Sequence, residues 1–270
     1  MGRAPGRRPP VLKKYGQHFL SDKSILGAIV DALAPGAADT VVEIGAGRGS
    51  LTEILAERAG RVVAVEIDRA LAKQLREKYQ AQPKVDIVEA DVLETDLHAI
   101  GGTNFLLIGN VPYYITTPII FRSLEPPIPR RSVFLVQREV ALRMSAAADT
   151  ESYGALTVNV SAVANTELVF DVPSSAFQPT PKVESAVVRV TPRAEPLISV
   201  GSLPAFHTFV QAAFGLRRKQ MQRVLRTVCA LSAEDAGAVL ERCGIDTSSR
   251  PEVLSAETFA RLFEALQPAG

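Results

Sequence analysis

The sequence predicts an α/β protein, a parallel, doubly wound sheet followed by a small all-helical C-terminal domain. Three observations carry this reading. Between residues 40 and 137, short apolar segments alternate with helix-like ones. The first of these apolar segments runs directly into a glycine-rich turn, E-I-G-A-G-R-G-S at 43–50. Beyond a proline-containing break at Pro192–Pro204, only helix-like segments remain.

The strand candidates are Thr40–Ile44, Arg61–Glu66, Val85–Glu89, Phe105–Gly109 and Ser132–Gln137. They are rich in Val, Ile and Leu with few polar interruptions, as strands covered on both faces should be. Leu51–Arg58 and Arg69–Tyr79 read as helices between them, and Ser24–Leu33 as a helix packed on the core. Strands that alternate with helices favour a parallel sheet. Glu167–Val172 and Ser185–Thr191 read as two more strands, joined by a loop with Pro173, Pro179 and Pro181. Ala155–Ala162 fits a strand by its alternation and a helix by its length and small residues. Phe206–Val228, Ala233–Cys243 and Ala256–Leu266 are helix-like, with Ser232 and Asp235 spaced as in a capping box. Residues 1–192 are therefore expected to form one domain and 193–270 a second.

Composition narrows the class. The 270 residues are 47% apolar and 22% charged, which suits a globular chain with a real core. No apolar run approaches the roughly 20 residues of a membrane span. Cys229 and Cys243 have no metal-ligand spacing and read as reduced packing residues, so a cytoplasmic protein is expected. The net charge of +1 conceals two basic clusters. One holds Arg3, Arg7, Arg8, Lys13 and Lys14, and the other Arg217, Arg218, Lys219, Arg223 and Arg226. Such clusters on a near-neutral chain point to a polyanion. The prolines and glycines of the first cluster oppose the amphipathic helix of a transit peptide.

The glycine turn points to a nucleoside. Gly45, Gly47 and Gly49 let the backbone turn sharply and approach a ligand without a Cβ in the way. Glu66 ends the next strand, nineteen residues after Gly47, where a carboxylate can accept both ribose hydroxyls. A dinucleotide fingerprint would read G-x-G-x-x-G. Here the third glycine comes one residue early and Ser50 holds the fingerprint position. The pattern instead resembles the class I S-adenosylmethionine-dependent methyltransferases, whose Rossmann-like fold binds a nucleoside without a pyrophosphate. That resemblance implies S-adenosyl-L-methionine as cofactor. It also implies that Asp91, in E-A-D-V at 89–92, meets the cofactor's adenine amine. Alone, Asp91 would read as a turn residue.

The fourth core strand ends in I-G-N-V-P-Y at 108–113. This resembles the N-x-P-Y or D-P-P-Y motif of methyltransferases that act on amino groups of bases. The exocyclic amine of adenine is a weak nucleophile because its lone pair is conjugated with the ring. Two acceptors aimed at its hydrogens favour a pyramidal nitrogen. The side-chain oxygen of Asn110 is one, and the carbonyl of Val111 is the other, with Pro112 holding Val111 extended. Tyr113 offers an aromatic face to a base that has left its stack. Neither a metal nor a general base is needed, since positioning and electrostatics suffice.

Several separated segments together resemble one family, the small-subunit ribosomal RNA adenine dimethyltransferases of the kasugamycin-sensitivity type. These are K-K-Y-G-Q-H-F-L at 13–20, N-V-P-Y-Y-I-T-T-P at 110–118, Q-R-E-V-A-L-R at 137–143, Y-G at 153–154 and F-Q-P-T-P-K-V-E-S at 177–185. The family usually has Leu where Val111 stands, a change of little weight because the backbone carbonyl carries the role. The resemblance implies that Gln17, His18 and Leu20 close over the cofactor. It implies that Phe177 sandwiches the adenine against Tyr113, that Lys182 meets RNA phosphate, and that Ala155–Ala162 is helical. It further implies N6,N6-dimethylation of two adjacent adenosines in a hairpin near the 3′ end of small-subunit ribosomal RNA. The expected setting is a small-subunit assembly intermediate, with the enzyme a monomer and Arg217, Arg218, Lys219 and Arg223 on RNA. Three other readings compete: a large-subunit ribosomal RNA adenine methyltransferase of the antibiotic-resistance type, a non-catalytic assembly factor, and an NAD oxidoreductase.

Overall fold

A computed structural model describes residues 18–267. The described elements begin with β1 (Phe19–Leu20) and α1 (Lys23–Leu33). Five strands with intervening helices follow: β2 (Thr40–Ile44), α2 (Ser50–Arg58), β3 (Arg61–Glu66), α3 (Arg69–Tyr79), β4 (Val85–Glu89), α4 (Leu97–Gly101), β5 (Leu106–Asn110), α5 (Thr116–Ser123) and β6 (Arg131–Gln137). The chain continues through α6 (Arg138–Met144), α7 (Ala155–Ser161), β7 (Ala164–Val172), β8 (Phe177–Gln178) and β9 (Ser185–Pro192). It closes with α8 (Leu203–Gly215), α9 (Met221–Val228), α10 (Ala233–Arg242) and α11 (Ala256–Leu266).

The strand order β4-β3-β2-β5-β6-β9-β7 locates the site. The four pairings among β2 to β6 are all parallel. The chain starts at β2, steps outward to β3 and β4, then returns to the other side of β2 for β5 and β6. A crevice opens at such a reversal, beyond the carboxyl ends of the two central strands. Register decides what meets there. Ile44 at the end of β2 pairs with Gly109 in β5, so the glycine turn and the N-V-P-Y segment emerge side by side. Glu66 pairs with Glu89, which sets Asp91 just past the end of β4.

Local chemistry starts the helices where the strands need them. Asp22, Asp68 and Asp96 cap α1, α3 and α4, each accepting two backbone N–H bonds. Leu26, Ile29, Val30 and Leu33 bury one face of α1. Ser232 and Ser255 cap α10 and α11 in the same way.

The packing falls into two compact units. One comprises the described residues up to 123 together with 127–138 and 169–189, and the other comprises 124–126, 139–168 and 190 onward. The boundary passes through β7 and β9. This is a division by packing, whereas the 1–192 and 193–270 division follows the proline-containing break and the helical pattern beyond it. In the second unit, Phe206, Phe209, Phe214, Phe259 and Phe263 pack ring on ring.

One sequence reading changes and one ambiguity is resolved. Phe206–Val228 is not one helix: α8 ends at Gly215, a turn spans 216–220, and α9 starts at Met221. The bonds from Leu216 N to Ala213 O and Lys219 N to Leu216 O tighten that turn, and Met221 N is taken by Ser249 O at 2.7 Å. Tertiary contacts thus override a run of good helix formers. Ala155–Ala162 is helical over Ala155–Ser161, and Leu156 to Val160 are all buried, so alternation carried no information.

One buried group gives the fold a pH dependence. Glu43 lies in β2 at 1% exposure, and its carboxylate accepts a 2.6 Å hydrogen bond from Thr52 Oγ1 in α2. Burial pushes its pKa up to about 7, with Glu66 adding to the rise and the Thr52 bond opposing it. The folded protein therefore holds this proton more tightly than the unfolded chain does. Stability should fall as pH rises from the ordinary carboxyl range through about 7, and level off above it. Glu43→Gln removes the titration. Relative to wild type, its unfolding free energy should gain on the order of 3 kcal/mol between pH values of about 5 and 8. Denaturant melts at the two pH values read this directly, and a pH-independent difference contradicts it.

Candidate active site

The cleft at the strand reversal is built within the first unit. Its lining takes in His18 to Leu20, the turn residues Gly45 to Arg48, Glu66 and Ile67, Asp91 and Val92, and Asn110 to Ile115. Gly45, Gly47 and Gly49 all have positive φ, at 69°, 58° and 78°. At Gly47 a Cβ would come within 3.2 Å of the Phe19 ring, and at Gly49 within 2.8 Å of Leu75 Cδ2. Conformation and space thus both demand glycine at these two positions.

Glu66 is 4% exposed and held from two sides. Gly47 N donates to its Oε2 at 2.7 Å, and Asp68 N donates to its Oε1 at 2.9 Å. Burial raises its pKa, while the two backbone donors oppose the shift. Each oxygen retains lone-pair capacity for a further donor. Beside it, Ile67 is 44% exposed, an apolar face on the cleft. Asp91 is a turn residue whose Oδ1 accepts from Leu93 N at 2.9 Å, and it also lines the cleft.

The N-V-P-Y segment leaves β5 under firm control. Val111 is buried, and its N–H donates to Leu135 O at 3.2 Å. Pro112 begins a single 3-10 turn over Tyr113–Ile115, closed by Ile115 N to Pro112 O at 3.1 Å. The Tyr113 phenol lies 2.7 Å from the buried Ser185 Oγ. Burial raises the phenol pKa and Ser185 opposes it, so Tyr113 acts as a neutral ring. Asn110 Nδ2 donates to the main-chain oxygen of His18 at 3.1 Å.

The structure thus brings His18, Leu20, Gly45, Gly47, Glu66, Asp91 and Asn110 to Tyr113 into one cleft. Phe177 is not in its lining. It is 4% exposed in β8 and belongs to the hydrophobic core, and the ring stacked on Tyr113 is that of His18. Gln17 and the first basic cluster lie outside the described residues. Lys182 is exposed and lies away from the cleft lining. Arg217 is paired with Glu252 at 2.5 Å, whereas Arg218, Lys219 and Arg223 are exposed, two in the turn after α8 and one on α9.

Glu43 and Ile67 are among the cleft residues to which the sequence reading gave no role. Glu43 is the first letter of E-I-G-A-G, and its signal was an acid inside an otherwise apolar strand. Ile67 follows the acidic strand end, and nothing in its identity marked it.

Comparison with known proteins places this geometry. The ribosomal RNA adenine dimethylase family model matches residues 11–268. A ribosomal RNA small subunit methyltransferase A from Caldanaerobacter subterraneus is 41% identical over 259 residues, covering 94% of this chain and 96% of the relative. The protein of the same name from Geobacter metallireducens is 37% identical over 264 residues, covering 96% of each chain. Among solved structures, a dimethyladenosine transferase from Plasmodium falciparum superposes with a TM-score of 0.78 at 25% identity, covering 91% of this chain and 96% of that one. The 23S rRNA methyltransferase ErmE superposes with a TM-score of 0.72 at 31% identity, covering 92% and 99%. A match spanning nearly all of the chain, together with the cleft at its strand reversal, shows that this chain belongs to the ribosomal RNA adenine dimethylase family.

Proposed function

We propose that this protein transfers methyl groups from S-adenosyl-L-methionine to the N6 amines of two adjacent adenosines in a hairpin near the 3′ end of small-subunit ribosomal RNA. The observation that carries this reading is the N-V-P-Y segment set beside the glycine turn by the Ile44–Gly109 register. The relatives at 37–41% identity named for the small subunit support that substrate over the large subunit. The likeness to ErmE keeps the large subunit as the second reading.

The cleft fits the cofactor. Glu66 is a buried acceptor for ribose hydroxyls, Ile67 offers an apolar face to adenine, and Asp91 stands where the adenine amine would be read. Gly45 and Gly47 keep side-chain bulk away, and Leu20 closes from β1. Glu66, a buried acid on the cleft, favours a cationic ligand. The cofactor supplies a methyl group that is already activated as a sulfonium. The work left to the chain is orientation. Asn110 Oδ1 and the Val111 carbonyl accept from the target amine, and Tyr113 stacks the flipped base. Phe177 acts from behind, through the β8 pairing with β1. The amine proton leaves to solvent after transfer, and the monomethylated product re-enters for a second round.

For RNA, we assign phosphate contacts to Lys182, Arg218, Lys219 and Arg223, with residues 193–270 as the ribosome-facing region. Arg217 contributes less, since it already pairs with Glu252. The substrate is ribosomal RNA within a small-subunit assembly intermediate, and the enzyme works as a cytoplasmic monomer. Among the described residues no helix is long and apolar enough to cross a membrane.

Two measurements test this. Purified protein with labelled cofactor should methylate small-subunit particles from a strain lacking the modification, with N6,N6-dimethyladenosine found by mass spectrometry. Asn110→Ala should lower turnover by roughly 10²–10³ with particle affinity nearly unchanged. Label in large-subunit RNA would favour the second reading, and equal turnover of the variant would refute the role of Asn110. Separately, replacing Arg218, Lys219 and Arg223 with Ala should flatten the log–log salt dependence of binding by about 0.7–0.9 per lost contact. A slope equal to wild type would make these residues ordinary surface.

A further inference from the structure

We propose that His18 is a positioning residue for methyl transfer, holding Asn110 and Tyr113 in the orientation the reaction needs. The inference rests on the reading of the N-V-P-Y segment given above. The family resemblance places His18 over the cofactor, and the geometry adds contacts from it to the residues proposed to act on the base.

The first contact fixes the amide. The main-chain oxygen of His18 accepts from Asn110 Nδ2 at 3.1 Å. A carbonyl oxygen can only accept, so it dictates which end of the amide faces it. With Nδ2 turned toward residue 18, Oδ1 is directed away from it. A flipped amide would set two acceptor oxygens against each other. The enforced orientation is the one required of a group that accepts a hydrogen from an adenine amine.

The second contact steadies the stacking ring. The His18 imidazole lies over Tyr113 with ring centroids 5.7 Å apart and planes 22° from parallel. Ser185 holds the phenol at its far end, 2.7 Å away. Tyr113 is therefore fixed by its face and by its hydroxyl.

The third contact fixes His18 itself. Its Nδ1 lies 2.7 Å from the main-chain oxygen of Pro179. That oxygen cannot donate, so Nδ1 carries the proton. The adjoining residues pair with β8, Phe19 with Gln178 and Leu20 with Phe177. The short two-stranded sheet thus delivers residue 18 to the motif.

The test is steady-state kinetics of His18→Ala, His18→Asn and His18→Phe on small-subunit particles lacking the modification, with saturating S-adenosylmethionine. Affinity for S-adenosylhomocysteine is measured separately by calorimetry. The Asn variant keeps a donor for the Pro179 oxygen, and the Phe variant keeps a ring over Tyr113. His18→Ala should lower kcat about tenfold or more, because small misplacements of reacting groups are costly. Its KM for the particle and its S-adenosylhomocysteine affinity should change by less than about threefold. Asn and Phe should each restore part of kcat. An Ala variant with kcat near or above wild type overturns the proposal. So does a loss that tracks cofactor affinity, or a folded Asn and Phe pair that restore nothing. Asn110→Ala runs alongside, and full turnover there would overturn the reading of the motif rather than the role of His18.

Asn110→Asp probes the carbonyl contact itself. An ionised carboxylate would face the His18 oxygen unfavourably, while its protonated form would donate to it. Activity relative to wild type should therefore rise as pH falls from about 8 to about 6, the range that a carboxyl with a raised pKa reaches. A flat or falling ratio overturns the proposal.

Discussion

The hydrogen bond from Gly47 N to the Glu66 carboxylate is the constraint on which the cleft depends. It joins the turn after β2 to the end of β3 and fixes the acid within the wall of the cleft. Residue 47 has a left-handed backbone, and its lack of a Cβ leaves room for the Phe19 ring, so glycine suits this position on both counts. Asp68 supplies the second donor and caps α3 with its own side chain, so one short segment both holds the carboxylate and starts the next helix. An acid so buried is costly to keep charged. Two backbone donors offset part of that cost, and a ligand's hydroxyls would offset more.

Parallel register carries the same logic across the sheet. Because β2 pairs with β3 on one side and β5 on the other, the glycine turn, Glu66 and the N-V-P-Y segment leave neighbouring strands at the same level. Glu43, one residue before the end of β2, then lies behind the turn and accepts a hydrogen bond from Thr52. The cleft thus holds the Glu66 carboxyl, an apolar face at Ile67 and an aromatic pair, His18 and Tyr113. That distribution suits a cation that carries a nucleoside, and a second nucleobase brought up to it.

The strands and helices of the sheet were legible because its parallel strands are short runs rich in Val, Ile and Leu, and because the glycine turn follows directly from one of them. Thr40–Ile44, Arg61–Glu66 and Val85–Glu89 end where periodicity places them. The turn at 216–220 was not legible. Its residues are good helix formers, and the contacts that break the helix come from Ser249, distant in sequence. β1 and β8 have two residues each, too few for any periodicity, yet they place His18. Within the cleft, the residues with a chemical signature were found: the glycines, Glu66, Asp91 and Asn110 to Tyr113. Phe177 was an aromatic in a recognisable segment, but its burial depends on the β1–β8 pairing. The ring stacked on Tyr113 in the structure is that of His18. The contact between His18 and Asn110 spans ninety-two positions and leaves no local trace.

The account turns on whether the carboxylate clamped by Gly47 is the nucleoside anchor. Calorimetric titration of S-adenosylhomocysteine into wild type, Glu66→Ala and Glu66→Gln, with circular dichroism to confirm the fold, measures this directly. Charge-assisted hydrogen bonds are worth roughly 1.5–3 kcal/mol each, so both variants should bind more than about tenfold more weakly while remaining folded. Folded variants with wild-type affinity would place the nucleoside elsewhere and contradict the account.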